Sequence, residues 1–417
     1  MRIAIVGAGI AGLASALLLD SAHEVTLFER RDLLGGHART HRFGHEGRHA
    51  FVNPAFGYIA PAMYPRFIRL LELLRVTRES APASVTVGST GLHRDVFVTP
   101  TLSPLRVSSV LDPLGLQRML AVRSVTRAAR ALDDADDWTT TLDEFLEPQP
   151  VSRFVKDEVV YPWMAAVSGV PIAEVKAFSA RAALRYPVHV QPEGALRPFG
   201  LQELTGGVDA YVQPLLNRLQ TTTIRRRVEL RPLQRSHGRW QLTEASGAQH
   251  EFDSVILATP AFEALALLAT LPDADRLREV VAGFPYASTR ILVHSDTSWM
   301  PRKKSNWSVY NARHDGPNCE ATIWCRHSGE FPYFKSWATF SDRRPSLLHA
   351  EFEFHHPRLT PGYYRSQSLL PALQGLGGLW FAGSYVEDVD SHESGIGSAI
   401  RIAERLNPDS ANLAALR

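Results

Sequence analysis

The first residues that could do chemistry are three glycines in the stretch IAIVGAGIAGLASALLL. Gly7, Gly9 and Gly12 form a GxGxxG pattern between an apolar run that predicts a buried strand and a run that predicts a helix. The first glycine permits a tight turn, the second lets the backbone approach a pyrophosphate, and the third packs the helix on the strand. The helix would start at Ile10, followed by Ala11, and would point unpaired N–H groups at the phosphates.

A carboxylate follows at the distance that such a site requires. Glu29 ends the strand-like stretch EVTLFE, about 20 residues after the glycines, where an acid accepts hydrogen bonds from ribose hydroxyls. Glycines that only formed an ordinary turn would not need this acid. We therefore predict a dinucleotide site and assign Glu29 and the adjacent Arg30 to it.

A second glycine motif, LGGHART, indicates which dinucleotide is bound. A twin glycine followed by an arginine and a threonine is not needed to bind NAD. The motif resembles the second fingerprint of the flavin-containing amine oxidase superfamily, which also contains phytoene desaturases and protoporphyrinogen oxidases. The resemblance implies FAD as the cofactor, with an arginine beside the phosphates or the flavin. The residues so assigned are Gly35, Gly36, His37, Arg39 and Thr40.

The resemblance continues in GGVDAYVQPLLNRL, RRRVELRPL, FDSVILATPA and the C-terminal FAGSYVEDVDSHESGIGSAI. It implies a strand that carries an adenine-side valine, Val228, and a return strand that ends at Ala258 and Thr259. It also implies a last helix whose N-terminus points at the flavin, where charge accumulates on reduction. The residues assigned around that helix are Gly383, Ser384, His392, Gly395 and Ile396.

A narrower resemblance is carried by HEVTLFERRDLLGGHART, LVHSDTSWMPRKKSNWSVYN and SHESG. These stretches are similar to a bacterial branch of predicted FAD-dependent amine-oxidase-like proteins, whose substrates are largely unassigned. The branch is often associated with fatty-acid modification. The resemblance spans nearly the whole chain and is thin between about residues 80 and 200.

The motif order implies the domain organisation. The resemblance predicts an α/β fold with a Rossmann-like FAD-binding domain of the glutathione reductase type and an inserted α+β substrate domain. The FAD-binding domain would be assembled from residues 1–60, 203–262 and 365–417. Residues 61–202 and 263–364 would form the substrate domain.

Periodicity predicts the main elements of the substrate domain. We expect helices around 63–75, 115–132 and 141–160, and strands over 289–293 and 350–354. Aromatic side chains from several segments could line an apolar substrate cavity, and we expect about a third of them to contact substrate. They are Phe51, Phe56, Tyr58, Tyr161, Trp163, Trp299, Trp307, Trp324 and Trp337.

Three departures from the monoamine oxidase pattern affect the chemistry. The cage tyrosine position, three residues before the glycine of the last helix, is His392. The strand that carries a lysine near the flavin in those enzymes offers Arg290 here. Cys319 and Cys325 both lie far before the last strand, so noncovalent FAD is favoured over covalent attachment. These departures make simple amine oxidation a less favoured interpretation of the sequence.

His392 is the candidate acid or base. The resemblance places it next to the flavin, in a loop with four acidic residues that could fix its tautomer and raise its pKa toward working pH. These residues are Glu387, Asp388, Asp390 and Glu393. Arg290 is the second candidate, as a ligand for a substrate carboxylate or phosphate, although pairing with a surface acid is the alternative. His355 and His356 are expected to be structural.

Composition excludes several classes. With 417 residues and 45% hydrophobic content, the chain can form two domains with large cores. A net charge of +2 gives no general affinity for nucleic acid. No apolar run is long enough to span a membrane, and Asp20 and Glu24 stand where a signal peptide would need a cleavage site. We expect a cytoplasmic protein without a metal site.

Three functions remain open. The first is an FAD-dependent dehydrogenase, desaturase or oxidase that takes a hydride from a C–H bond of an apolar or amphipathic small molecule or of an acyl, lipid-like substrate. The second is an amine oxidase. The third is a redox-neutral isomerase or mutase, or a flavoprotein scaffold without net turnover. The chain has no second GxGxxG motif for NADPH, so oxygen, a quinone or a separate redox partner would reoxidise the flavin.

Overall fold

The computed structural model describes most of the chain. It covers residues 1–45, 48–99, 112–190, 200–325 and 332–417. The predicted FAD-binding and substrate domains also include the segments between these ranges, and those parts of the prediction lie outside the described residues.

Most strands are short, and they form two larger sheets and several small ones. In chain order they are β1 (Arg2–Val6), β2 (Glu24–Glu29), β3 (His41–His45), β4 (Arg48–Val52), β5 (Arg78–Ala81), β6 (Val85–Ser89), β7 (Arg94–Val98), β8 (Leu201–Leu204), β9 (Thr223–Arg226), β10 (Gln234–Ser236), β11 (Arg239–Thr243), β12 (Gln249–Phe252), β13 (Ser254–Leu257), β14 (Tyr286–His294), β15 (Tyr310–His314), β16 (Cys319–Trp324), β17 (Phe334–Trp337), β18 (Leu348–Pro357) and β19 (Leu379–Phe381).

The helices lie between these strands and at the C-terminus. In chain order they are α1 (Ile10–Leu19), α2 (Pro65–Leu73), α3 (Pro113–Asp134), α4 (Leu142–Leu146), α5 (Arg153–Val155), α6 (Tyr161–Ser168), α7 (Ile172–Val175), α8 (Ala180–Val190), α9 (Val212–Leu216), α10 (Ala261–Leu267), α11 (Asp275–Ala282), α12 (Pro361–Leu369), α13 (His392–Leu406) and α14 (Ala411–Leu416). A π-helical turn, Lys156–Val160, joins α5 to α6.

A five-stranded parallel sheet carries the glycine motif. Its strand order is β19-β13-β1-β2-β9, so its strands come from both ends and from the middle of the sequence. Strand β1 lies at the centre, and Ile3, Ala4 and Ile5 are fully buried. Helices α1 and α13 pack on each other beside it. This is the Rossmann-like α/β architecture that the sequence predicted, with a ligand crevice expected at the carboxyl ends of the strands.

A seven-stranded mixed sheet forms the second layer. Its order is β18-β14-β17-β16-β15-β6-β7, and β14 pairs with both β17 and β18 in antiparallel register. Helix α6 packs on β15 and β16, whereas α3 packs on β7 and α8. The strands predicted over 289–293 and 350–354 are confirmed within β14 and β18, and the helices predicted near 63–75 and 115–132 are confirmed as α2 and α3.

The helix predicted over 141–160 is wrong as a single element. Helix α4 ends at Leu146, and helical structure resumes only at Arg153. Pro148 and Pro150 lie between the two. Because proline lacks an N–H donor and its ring disfavours helical geometry in the residue before it, the apolar periodicity could not be realised as one helix.

Among the described residues, no helix combines the length and the apolar character needed to cross a bilayer. The same part of the chain holds no cluster of three or more histidine, cysteine, aspartate or glutamate side chains able to bind a metal ion. Cys319 and Cys325 are both buried.

Candidate functional site

The first glycine motif leaves the start of α1 open. A Cβ atom on Gly12 would collide with the carbonyl oxygen of Gly7, so the helix can approach the turn only with glycine there. Gly9 is the N-cap residue of α1, and no side chain caps this end and no acidic residue lies in the first turn. The first N–H groups of the helix therefore remain available for an anion.

Glu29 lies beside this open helix end. Its carboxylate accepts hydrogen bonds of 2.9 Å from the backbone N–H groups of Ala8 and Arg31. These bonds fix the carboxylate at the carboxyl end of β2, next to the glycine turn, with acceptor capacity left over. The neighbouring Arg30 instead points to the surface and forms an ion pair with Glu263 at 2.7 Å.

The second glycine motif packs directly on the first. Gly36 has a φ of 59°, and a Cβ atom on it would lie 2.9 Å from the Cα atom of Gly9. Any larger residue would push the two turns apart. Gly35, with a φ of 105°, donates its N–H to the carbonyl of Ala8 at 2.8 Å, which ties the same two turns together.

The side chains of the second motif hold its backbone and face the crevice. Arg39 donates to the carbonyls of Gly36 and Leu33, at 2.8 and 3.3 Å, and partial burial lowers its pKa. His37 is exposed, and the edge of its ring faces the Phe354 ring with centroids 5.2 Å apart.

Thr40 connects this motif to a third segment. Its hydroxyl donates to the side-chain oxygen of Asn53 at 2.9 Å and accepts from the N–H of Asp209 at 3.3 Å. The same Asn53 oxygen accepts from the N–H of Val208 at 3.0 Å. Asn53 therefore joins the second motif to the Gly206–Gly207 turn that precedes α9.

The last helix brings a second N-terminus to the same place. A Cβ atom on Gly395 would lie 2.9 Å from the side chain of Ile10 and 3.6 Å from the N atom of Ala11. The starts of α13 and α1 therefore contact each other, and Ile396 is fully buried in the core beside them. Two helix dipoles thus converge with their positive ends adjacent.

The loop before α13 is fixed by hydrogen bonds. The N–H of Gly383 donates to the Ser398 hydroxyl at 2.9 Å, and the Ser384 hydroxyl donates to Asp390. On the adjacent strand end, the N–H of Ala258 donates to the carbonyl of Val6 at 2.8 Å. The hydroxyl of Thr259, buried next to Gly7, has no hydrogen-bond partner among the described residues.

Val228 lies beyond the strand on which the sequence placed it. Strand β9 ends at Arg226, and Arg227 has a φ of 57° that turns the chain. The N–H of Val228 then donates to the carbonyl of Glu29 at 3.0 Å. Val228 is therefore held beside Glu29, although it is a turn residue and not a strand residue.

A small cavity of about 10 Å³, room for one water molecule, lies next to the Asn53 junction. Lys335, on β17, is 3% exposed, and its ammonium donates to the carbonyls of Asn53 and Ala55 at 2.8 Å each. Burial lowers the pKa of Lys335 to about 8. The cavity is lined by Asn53, Gly57, Tyr58, Glu203, Ile323, Cys325 and Lys335. Of the aromatic residues predicted to line a cavity, Tyr58 is among these.

His356 lies on the same side of the seven-stranded sheet. Its Nδ1 atom is 2.9 Å from the hydroxyl of Thr289, and burial lowers its pKa to about 4. The charges of Asp390 and Lys335 both act on it, the first raising and the second lowering its pKa. His37 acts on it as well, so these groups border one region between the two glycine motifs and the sheet.

His392 does not have the raised pKa that the sequence predicted. It is the first residue of α13 and is 6% exposed. Its ring stacks on Phe56 with centroids 4.3 Å apart, and its Nε2 atom lies 3.2 Å from the hydroxyl of Tyr211. Removal from water lowers the pKa of His392 to about 3, so the ring is neutral near pH 7.

The acidic residues around His392 bind other partners, which explains this correction. Glu387 pairs with Arg66 and Arg401, both at 2.6 Å. Glu393 accepts from the N–H groups at the start of α2 at 3.0 to 3.1 Å. Asp388 and Asp390 engage Arg185 and Ser384, so none of the four carboxylates hydrogen-bonds to the His392 ring.

Arg290, the second candidate, is bonded to the backbone of a neighbouring loop. Its guanidinium donates to the carbonyls of Ala338 and Ser341 at 2.9 and 2.7 Å, and to that of Arg343 at 3.4 Å. These bonds fix the loop after β17. The Nε and Nη2 atoms of Arg290 are therefore occupied by backbone acceptors.

Sequence reasoning missed Lys335 and Asn53. The sequence signal for Lys335 was a lone lysine inside the strand-like, aromatic stretch YFKSW, where a charged residue needs a buried partner. Asn53 carried no comparable signal, because its importance comes from contacts with residues far away in the chain.

The residues present fit FAD. The cradle is formed by two glycine turns in contact, an uncapped helix end, a fixed carboxylate at β2 and the orphaned Thr259 hydroxyl, and a Cβ atom at Gly36 or Gly12 would force its turns apart. Pyrophosphate would be held at the start of α1, ribose at Glu29, and the flavin near the start of α13. The fold and the site define a dinucleotide-binding flavoprotein with a glutathione-reductase-type FAD domain.

The chain belongs to the flavin-containing amine oxidoreductase family, whose sequence profile matches residues 10–308. FAD is therefore its cofactor, as the sequence predicted. Coproporphyrinogen III oxidase of Mycobacterium tuberculosis (strain ATCC 25618 / H37Rv) is 26% identical over 318 residues. That match covers 70% of this chain and 64% of the relative, so the chain spans less than two thirds of that relative's length.

Solved structures share the fold. A "CLA-producing fatty acid isomerase" from P. acnes superposes with a TM-score of 0.68 at 15% identity, covering 97% of this chain and 98% of that one. Putrescine oxidase bound to putrescine superposes with a TM-score of 0.66 at 14% identity, covering 97% and 99%. At these identities the likeness concerns the fold alone.

Proposed function

We propose that this chain is an FAD-dependent oxidoreductase that removes a hydride from a C–H bond of an apolar or amphipathic small molecule. The single observation that carries the proposal is the FAD cradle formed by the two glycine turns in contact, with Glu29 fixed beside them. One residue, Asn53, separates this cradle from Lys335, a buried ammonium of lowered pKa.

The bound flavin supplies the hydride acceptor. The chain's own residues have two tasks. Asn53 and Thr40 hold the second motif in place, because they join it to the turn before α9. Lys335, which lines the small cavity beside Asn53 together with Ile323, holds or releases a proton.

Lys335 is the group that can hold or release a proton in the cavity. Its pKa of about 8 means that the ammonium and the amine are both populated near neutral to mildly alkaline pH. His392 cannot take this part, since it stays neutral and is packed between Phe56 and Tyr211.

The test begins with the purified full chain. We expect it to be yellow and to release FAD on heat or acid denaturation, because no cysteine lies near the last strand to attach the flavin. Under anaerobic conditions, panels of fatty acids, polyenes, amines and amino acids are then screened for bleaching of the flavin absorbance. Bleaching by acyl or polyene compounds supports the proposal, whereas bleaching by amines alone supports an amine oxidase.

The electron acceptor is tested separately. Reduced protein is mixed with oxygen, a soluble quinone or a dye, and flavin reoxidation is followed. Product formation without net flavin reduction or oxygen consumption would contradict an oxidoreductase and indicate a redox-neutral isomerase. A protein that binds FAD but converts no member of the panel, with or without each acceptor, would contradict the proposed activity toward these substrates.

A further inference from the structure

His356, which the sequence leads us to expect as structural, lies opposite the second glycine motif. It is on β18, the outer strand of the seven-stranded sheet. Side chains two residues apart on a strand point to the same face, so His356 shares its face with Phe354. The Phe354 ring contacts the ring of His37 in the second motif, with centroids 5.2 Å apart. The His356 ring is therefore on the cofactor side of the sheet.

A buried hydroxyl holds one side of the His356 ring. Thr289, on the adjacent strand β14, is fully buried. Its hydroxyl lies 2.9 Å from Nδ1 of His356 and 3.1 Å from the carbonyl oxygen of Phe354. A Cβ atom on Gly169 would lie 2.4 Å from the Thr289 methyl group, so only glycine leaves room for this methyl. The Thr289 hydroxyl is therefore fixed between the imidazole and the carbonyl.

This arrangement selects one tautomer of His356. A carbonyl oxygen can only accept a hydrogen bond, and the Thr289 hydroxyl has a single proton to donate. Two oxygen atoms 3.1 Å apart attract each other only when a proton lies between them, so Thr289 donates to Phe354. The hydroxyl then accepts from His356, which places the proton of the neutral ring on Nδ1. The Nε2 atom keeps its lone pair.

The Nε2 atom of His356 is an available hydrogen-bond acceptor. It forms no hydrogen bond within the described residues, and it is not enclosed by the protein. Burial of the ring lowers the pKa of His356 to about 4, although the charge of Asp390 acts to raise it, so the ring is neutral near pH 7. A group that binds at Nε2 must therefore bring its own proton, which a hydroxyl or an amine does and a carboxylate does not.

We propose that Nε2 of His356 binds the polar end of the substrate and that this end carries an O–H or N–H donor. Thr289 is the positioning residue, because its hydroxyl keeps the Nε2 lone pair available. The inference rests on the proposed function, since it narrows the substrate class of the same site to amphipathic alcohols and amines.

The first test measures binding to the full flavin-loaded chain by the shift of the flavin absorbance bands, which does not require hydride transfer. The probes are 1-decanol, decylamine and decyl methyl ether, and the ether keeps the chain and the oxygen but has no donor. We expect at least one donor probe to bind about three- to tenfold tighter than the ether, the worth of one hydrogen bond. An advantage of decanol assigns the donor to a hydroxyl, and an advantage of decylamine alone assigns it to an amine.

Variants locate the acceptor. His356→Phe should abolish the advantage of the donor probes over the ether. His355→Phe, the neighbouring position on the opposite face of β18, is the control and should keep it. Equal binding of all three probes to the wild type, absence of any binding, or an advantage that survives in His356→Phe would overturn the proposal. None of these results depends on whether the flavin is reduced, so the proposed reaction is tested separately.

The role of Thr289 is tested by the tautomer itself. In protein labelled with ¹⁵N-histidine, the signals missing from His356→Phe identify this ring, and their shifts report which nitrogen carries the proton. We expect the proton on Nδ1 in the wild type and in Thr289→Ser, which keeps the hydroxyl. Thr289→Val keeps the shape without the hydroxyl, and it should give mixed tautomers and a smaller donor advantage. A proton on Nε2 in the wild type would overturn the proposal without any variant.

Discussion

The Nε2 atom of His392 lies 3.2 Å from the hydroxyl of Tyr211, and the face of the same imidazole ring stacks on Phe56. This arrangement anchors the first residue of α13 to the segment before α9 and to the loop after β4. A neutral, enclosed imidazole stabilises the junction between three distant parts of the chain. The relationship determines what substitutions at this position should do.

We expect His392→Phe to retain most turnover and an unchanged pH profile, because phenylalanine preserves the stacking in a site that holds no charge. Loss of a working acid or base would instead lower turnover by roughly 10²–10⁴. His392→Ala should be less stable by about 2–4 kcal/mol through the cavity it leaves. Steady-state rates measure the turnover, and chemical denaturation measures the stability. A fall of a hundredfold or more in folded, flavin-loaded His392→Phe would restore His392 to the chemistry.

Acid should destabilise the fold through the same residue. The folded pKa of His392 is about 3, below the ordinary value of 6.5, so the unfolded chain binds the proton first as pH falls. The contribution of His392 to the free energy of unfolding is complete above about pH 6.5. It declines toward pH 3 by about 1.4 kcal/mol per pH unit. Denaturation of the wild type and His392→Phe between pH 7 and 4 should show a smaller slope in the variant. Parallel slopes would mean that His392 titrates normally.

Glu29 should control the affinity for FAD. Glu29→Arg places a cation where ribose hydroxyls need an acceptor, and the loss of a charged hydrogen-bond partner costs about 1.5–3 kcal/mol. Titration of the apoprotein with FAD, followed by flavin fluorescence, measures the change. Glu24→Arg, an exposed position at the other end of β2, is the control and should bind FAD normally. Equal affinity of both variants would show that Glu29 does not contact the ribose.

Lys335 should produce a step in the rate of flavin reduction near pH 8, where its ammonium loses the proton. Lys335→Met stays neutral and Lys335→Arg stays charged at these pH values, so the step should vanish in both variants. One variant should keep the rate of the wild type above the step, and the other the rate below it. The exposed Lys304→Met is the control and should keep the step. A step that persists in Lys335→Met would assign it to another group.

The cofactor site was accessible from the sequence because its determinants are local. Gly7, Gly9 and Gly12 act within one turn, and Glu29 follows at the end of the next strand. The second motif could be located as well, since its glycines are adjacent in the chain. Its contact with Gly9 follows from the parallel pairing of β1 and β2.

The substrate side of the site could not be predicted from the sequence in the same way. Lys335 meets Asn53 across about 280 residues of sequence, and Arg290 turned to backbone carbonyls that no pattern announces. His392 was placed in the correct segment, but its pKa depends on Phe56 and Tyr211, which enclose it, and on carboxylates drawn away to other partners.

The sequence by itself determined the glycine turns, the acid of β2, the apolar central strand and hence the flavin-binding class. These features follow from backbone freedom and from residues close together in the chain. Only the tertiary structure decided which charged groups are buried and which carboxylates are already paired. Those outcomes depend on strand register and on packing between distant segments, and the pKa of each group follows from the neighbours that this packing supplies.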